Sequence, residues 1–308
     1  MEIKINITQY NKERVLDLIS ELVDNEYDKN AGADLQTISS ALKQSVGLGL
    51  GVPENFDSKL LTKPKLEESE VGSWFMFNSF FAGKALLRIL ANLINKEQIS
   101  SVSTDTLVQV GSDAFKKAGL SKYRGFPKEK KHHKYEKSNI DKLKYFILKP
   151  FADMGLIVIN SDDTHNQVSL TKPGLDFVML DNPILDEHKQ SPSLSEAEQR
   201  FILGYIKSID SKYKEYSTLK ETVDFIKTKK NISYPEIVDF FVKNEKIANY
   251  LYNGSRAQKE NKSKDDKNFK IYLSHAAYSF ASSRIALLRE LGILSDKRGE
   301  YKIVSEVF

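Results

Sequence analysis

The stretch LLRELGILSDKRGEYKIV, Leu287 to Val304, reads as an amphipathic helix that stops at Gly292, followed by two short strands folded about a polar tip. The same phrase occurs earlier as FILKPFADMGLIVINSDDTHNQVSLT, Phe146 to Thr171, with Gly155 at the equivalent stop. A glycine ends a helix cheaply because it adopts the left-handed conformation without a Cβ penalty. LIVIN and QVSLT then pair as a hairpin around SDDTHN. A helix, a glycine and a hairpin appearing twice imply two copies of one supersecondary unit.

Working outward from these two anchors, both halves take the same order. Phe80, Phe81, Ala85, Leu86, Ile89, Leu90, Leu93 and Ile94 predict a buried helix. Thr104 to Ala118 predicts a second, ended at Gly119. A loop, Ser121 to Lys137, carries seven Lys/Arg against two Glu. Ser138 then caps a third helix with Ile140, Leu143, Ile147, Phe151 and Met154 on one stripe, bent or split at Pro150. PGLDFVML follows the hairpin as a further helical turn. In the second half, capping-box pairs Ser195 with Glu198, Thr218 with Glu221, and Ser233 with Glu236 open three helices. The last of these buries Ile237, Val238, Phe240 and Phe241. After the polar segment Arg256 to Lys270 comes a long helix from about Leu273 to Leu291. The resulting organisation is an acidic helical segment at 1–75, a first domain at 76–182, a linker at 183–193 and a second domain at 194–308. Within the first segment, Asn11 to Asn25 and Asp34 to Val46 read as helices, and GLGLGVPENF as a loop. No apolar strand precedes its glycines, so a dinucleotide-binding turn is not supported.

With 308 residues, 40% of them apolar and 29% charged, the chain reads as an ordinary globular protein with a sizeable core. It has no cysteine, which excludes disulfides and thiolate metal sites. MEIKINITQY lacks the basic start and apolar stretch of a secretory signal, and no window is apolar enough for a membrane helix. The expected location is cytoplasmic. The net charge of +4 hides an asymmetry: 1–75 holds 8 basic and 13 acidic residues, the remainder 38 and 29. A basic body suits a polyanionic partner, while the acidic segment suits self-association, a protein partner, or bracing of the first domain.

Three helices followed by such a hairpin resemble the winged-helix variant of the helix-turn-helix fold. The resemblance rests on FADMGLIVIN with QVSLTKPGLDFV, and on LLRELGILSDKRGEYKIV. It implies a mainly α protein with small β-hairpin wings: two winged-helix domains plus a helical N-terminal segment. It further implies binding of double-stranded DNA, with each third helix in a major groove and each wing on the backbone. On that basis Tyr278, Ser279, Ser282, Ser283 and Arg284 are expected to read bases, together with Lys142 and Tyr145. Arg124, Lys128, Lys130, Lys131, Lys144, Lys149, Lys297 and Arg298 are expected on phosphates, with Thr164, His165 and Asn166 at the first wing's tip. Ala281, Ile285, Leu288 and Leu291 are expected to face the core. Two unlike modules on one chain suit an asymmetric target, and look similar to recognition regions of type II restriction endonucleases. Plasmid replication initiators and transcriptional regulators are also similar, and winged helices serve elsewhere as protein-interaction subunits without DNA contact.

No catalytic constellation emerges. The Glu-x-Lys triplets of metal-dependent nucleases occur at Glu2–Lys4, Glu129–Lys131, Glu260–Lys262 and Glu300–Lys302, but none sits in a pattern that predicts a buried sheet. Five scattered histidines without cysteine do not form a zinc site, and no phosphate-cradling Gly-rich loop is present. Neither cofactor nor metal is expected.

Overall fold

The computed structural model describes residues 49–64, 79–120, 148–161, 166–187, 189, 191–229, 232–253, 267–297 and 300–305. The expected helices at 11–25 and 34–46, and the cationic loop at 121–137, lie outside them. The first described element is a strap, 49–64, with one turn of 3-10 helix at Ser58–Leu60. It carries GLGVPENF, the described part of GLGLGVPENF, as a loop, and three side chains of the next helix hold it. Asn92 donates to the Gly49 and Gly51 carbonyls, Arg88 to Leu50, and Asn95 to Glu54. This part of the acidic segment braces the first half.

The first unit runs α1 (Phe80–Glu97), β1 (Val102–Ser103), α2 (Thr104–Lys117), α3 (Lys149–Asp153), β2 (Ile157–Ser161) and β3 (Asn166–Leu170). α4 (Lys172–Met179) follows and packs on α1. Two short helices come next, α5 (Glu196–Ser208) and α6 (Asp210–Tyr213). The second unit runs α7 (Glu215–Lys227), β4 (Ile232–Ser233), α8 (Tyr234–Lys243), α9 (Glu245–Asn253), α10 (Lys267–Glu290), β5 (Leu294–Lys297) and β6 (Glu300–Ile303). The protein is therefore mainly α with two small antiparallel sheets.

The repeat goes deeper than the hairpins. Each sheet has three strands, in the orders β1-β3-β2 and β4-β6-β5, so the earliest strand pairs with the last. The registers match: Val102 faces Val168 and Ser103 faces Gln167, while Ile232 faces Tyr301 and Ser233 faces Glu300. In both units the second residue of that strand is the N-cap serine of the following helix. Gly155 and Gly292 sit at φ of 71° and 67°, and each stops the helix before its hairpin as expected; in the second unit α9 makes that helix the fourth rather than the third. Pro150 follows Leu148 and Lys149, both already helical; Ser138, Ile140, Leu143 and Ile147 of the expected third helix lie outside the described residues.

Three expectations change. The strands β1 and β4 were not foreseen, because two residues carry no readable alternation. Thr218 does not open a helix: α7 begins at Glu215 behind Lys214, which takes the left-handed conformation, and Thr218 lies inside, donating to the Glu215 carbonyl. Phe240 is only partly buried, its ring stacked 3.9 Å from that of Phe225.

The expected linker is a folded clasp. Its turn at 183–186 is closed by Asp186, which accepts from the Asn182 N–H at 2.7 Å and pairs with Arg88 of α1. The Asn182 amide donates to Ser193 and Glu198. Phe177 of α4 stacks on Phe201 of α5 with centroids 5.2 Å apart, and one continuous apolar core runs through both halves.

Two glycines test this packing in opposite directions. A Cβ on Gly174 would sit 1.9 Å from the Leu156 carbonyl oxygen, so Gly174→Ala should destabilise by about 1–3 kcal/mol or more. At Gly204, inside α5, a Cβ meets nothing within 4 Å, and Gly204→Ala should stabilise by roughly 0.5–1 kcal/mol. Denaturant midpoints of the two variants check both signs.

Candidate nucleic-acid interface

Helix α10 is the longest in the second unit and was expected to offer its outer side to a partner. Ala277, Phe280, Ala281, Leu288 and Leu291 form its buried stripe, with Ile285 and Leu287 beside them. The opposite side carries His275, Tyr278 and Ser279, all exposed, with Ser282 half-buried. Tyr278 is 49% exposed, one of the few large apolar side chains so open. Its ring lies 5.7 Å from that of Tyr234 at the start of α8, whose hydroxyl donates to the Tyr278 carbonyl. This outer face contains hydroxyls, an imidazole and an aromatic ring, and near its end the exposed guanidinium of Arg289, 3.4 Å from Asp296.

Two expected base-reading residues are elsewhere. Arg284 is fully buried, four residues from Phe280 and from Leu288, and hence on the core stripe. Its guanidinium pairs with Glu215 of α7 and lies 4.3 Å from the Phe280 ring centre. The Tyr250 hydroxyl of α9 donates to the same carboxylate. Burial raises the Glu215 pKa, and the Arg284 charge beside it opposes that shift. Tyr250 is pushed up by burial and by Glu215. The three groups tie α7, α9 and α10 together, and none reaches a base. Ser283 is also buried, its hydroxyl donating to the Phe280 carbonyl.

Of the first unit's expected residues, Arg124, Lys128, Lys130, Lys131, Lys142, Lys144 and Tyr145 lie outside the described residues, as do Thr164, His165 and Arg298. Lys149 opens α3 and sits 3.2 Å from the buried carboxylate of Asp153. A cation already paired in this way is a weaker phosphate ligand than a free one. Asn166 is exposed at the start of β3, and its carbonyl accepts from Thr104 at the start of α2, joining the wing to that helix. The backbone of Lys297 ends β5 opposite Glu300, leaving a two-residue loop at the second tip.

The least expected charges lie where the halves meet. Lys84 and Arg88 belong to the buried stretch of α1. Lys84 Nζ is 3.0 Å from Glu198 of α5, with both side chains fully buried. It also donates to the carbonyls of Phe177 and Leu180 and lies 4.6 Å from the Phe177 ring centre. Burial, and then the neighbouring Arg88 charge, lower the Lys84 pKa to about 7. Arg88 grips Asp186 through both terminal nitrogens, at 2.7 and 2.6 Å.

Among the described residues no cluster of His, Asp and Glu is fit to hold a metal, and Glu300 and Lys302 stand exposed on β6. A cavity of about 900 Å³ between α7 and α9 is lined by residues such as Lys220, Glu221, Asp224 and Lys246. These four pair with one another. No described helix is long and apolar enough to cross a membrane. No family model matches the chain, and no curated protein and no solved structure matches it either.

Two outcomes follow from these burials. Arg284→Ala should cost about 3–5 kcal/mol of stability, because it strands the Glu215 carboxylate in the core. Thermal unfolding would read the loss. Lys84 binds its proton up to about 10.5 in the unfolded chain and only to about 7 when folded. Its contribution to stability is therefore full above about 10.5 and is lost as pH falls to about 7, so wild-type stability should rise across that window. In Lys84→Met this rise should vanish; urea unfolding of both proteins at successive pH values measures the difference.

Proposed function

We propose that this protein binds double-stranded DNA in the cytoplasm through two winged-helix units held on one chain. The observation that carries the reading is the matched topology. In each unit a helix leads to a two-residue strand that caps a second helix, and the last helix, preceded in the second unit by the extra α9, stops at a left-handed glycine before a hairpin that pairs back on the first strand. That order is the one a winged helix has. A major groove about 12 Å wide admits one helix, and short hydroxyl side chains allow close approach to base edges. Tyr278, Ser279 and Ser282 present that chemistry on α10, and His275 joins them. The cationic sequence Ser121 to Lys137, with Lys297 and Arg298, supplies charge for phosphates. Recognition is the mechanism, and a role in restriction, replication initiation or transcriptional regulation is compatible with it.

A second reading has its own observation. With Arg284 in the core, the middle of the outer side of α10 is uncharged, and the exposed Tyr278 ring beside the half-buried Tyr234 resembles a protein-docking face. The two readings separate by salt.

Duplex affinity should fall steeply between about 50 and 200 mM salt, in proportion to the phosphates contacted. Replacing Lys128, Lys130 and Lys131 by Ala should lower that slope, whereas Ser279→Ala should alter base preference and leave the slope unchanged. Fluorescence anisotropy on duplexes selected from a random library measures both. Absence of any salt-dependent duplex binding would favour the protein-docking reading.

A further inference from the structure

We infer that Glu290 and the buried charges beneath it lock the two units into one rigid clamp, and that this sets a fixed spacing between the two parts of the DNA target. The inference rests on the DNA reading above. Glu290 is the last residue of α10. An anion there opposes the dipole of its own helix, so its place is explained only by its partner. That partner is the start of α1 in the other unit. One carboxylate oxygen accepts from the Ser79 hydroxyl at 2.7 Å, and the other from the Phe80 N–H at 2.6 Å. Ser79 in turn caps α1 by accepting from the Ala82 N–H. The last helix of one unit thus completes the N-terminus of the first helix of the other.

A second tie lies deeper. Lys84, one turn along α1, pairs with Glu198, and Arg88, a turn further, with Asp186 of the clasp. Glu198 also closes the capping box of α5 by accepting from the Ser195 N–H at 2.7 Å. The side chain of Gln199, the next residue, lies against Gly292 just past the end of α10. A hinge between the first unit and α5 would have to expose Lys84 and Glu198 or strand them apart, which is strongly disfavoured for a buried pair. In turn α5 is tied to the end of α10 by the Gln199 amide, which donates to the Glu290 carbonyl at 3.4 Å.

The consequence is geometric. One inserted base pair rotates and translates the second half-site by about a tenth of a helical turn, near 3.4 Å along the axis. Units on a loose tether would follow this displacement; a locked pair would not. Glu290 is accordingly a positioning residue for specificity, and it touches no base.

The test uses the full chain and a duplex selected from a random library, with one or two base pairs inserted between its two halves. Wild type should lose at least 100-fold in affinity for the inserted duplexes. In Glu290→Ala that penalty should shrink at least tenfold, while the parent duplex is still bound. Glu290→Gln, which keeps the shape and one acceptor, should behave in between and guards against a folding defect in the alanine variant. Because the chain has no native cysteine, spin labels on Gln109→Cys in α2 and Lys243→Cys in α8 report the clamp without DNA. A single narrow distance is expected in wild type and a broader one in Glu290→Ala. A broad wild-type distance overturns the clamp. A narrow distance with no duplex binding overturns the DNA reading and the spacing rule with it. A narrow distance with full tolerance of inserted base pairs overturns the spacing rule alone.

Discussion

Two cations inside the most buried helix of the molecule govern its architecture. Lys84 and Arg88 have no access to water, so each must be neutralised and hydrogen-bonded within the fold. Their partners, Glu198 and Asp186, come from the clasp and from the helix after it. Once those pairs form, the stretch joining the halves cannot be a loose tether, and α4, α5 and α1 must pack together. The continuous apolar core through both halves follows from that demand.

Each unit solves a smaller version of the same problem. In the second, Arg284, Glu215 and Tyr250 form a closed polar group among Phe280, Phe241 and Ile247, and fix the angle of α10 against α7 and α9. In the first, the Phe151 ring lies edge-on to Phe80 and packs over Gly83. The units share a backbone and differ in core chemistry.

The inference from fold to function runs through surfaces, and here the molecule divides its labour. Side chains suited to hydrogen-bonding a base edge stand on α10, whereas the densest positive charge lies in the sequence between α2 and α3. In the proposed DNA-binding mode, long-range attraction and close reading would belong to different segments, phosphate contacts setting register and base contacts setting specificity. The exposed Tyr278 adds apolar area to this side of α10.

Much of the fold was legible because it is periodic or punctuated. The stripes of α1, α2 and α8, the capping boxes at Ser195 and Ser233, and the stops at Gly155 and Gly292 depend on local rules of spacing and backbone conformation. The fold class and the duplication followed from them. Strands β1 and β4 were invisible because two residues have no pattern until β3 and β6 pair with them.

The interface was less legible, and Arg284 shows why. Its spacing from Phe280, Ala281, Leu288 and Leu291 placed it on the buried stripe, yet its charge argued for the surface. Only tertiary structure, by supplying Glu215, decided between them. The same holds for Lys84, Arg88 and Glu290, whose partners lie about 90 to 211 residues away in sequence. The sequence alone determined which segments are helices, where they stop and that one unit is repeated, since those outcomes depend on neighbours within a few residues. Which charges are buried was decided by long-range pairing, because a buried ion is stable only where the fold brings its counter-ion.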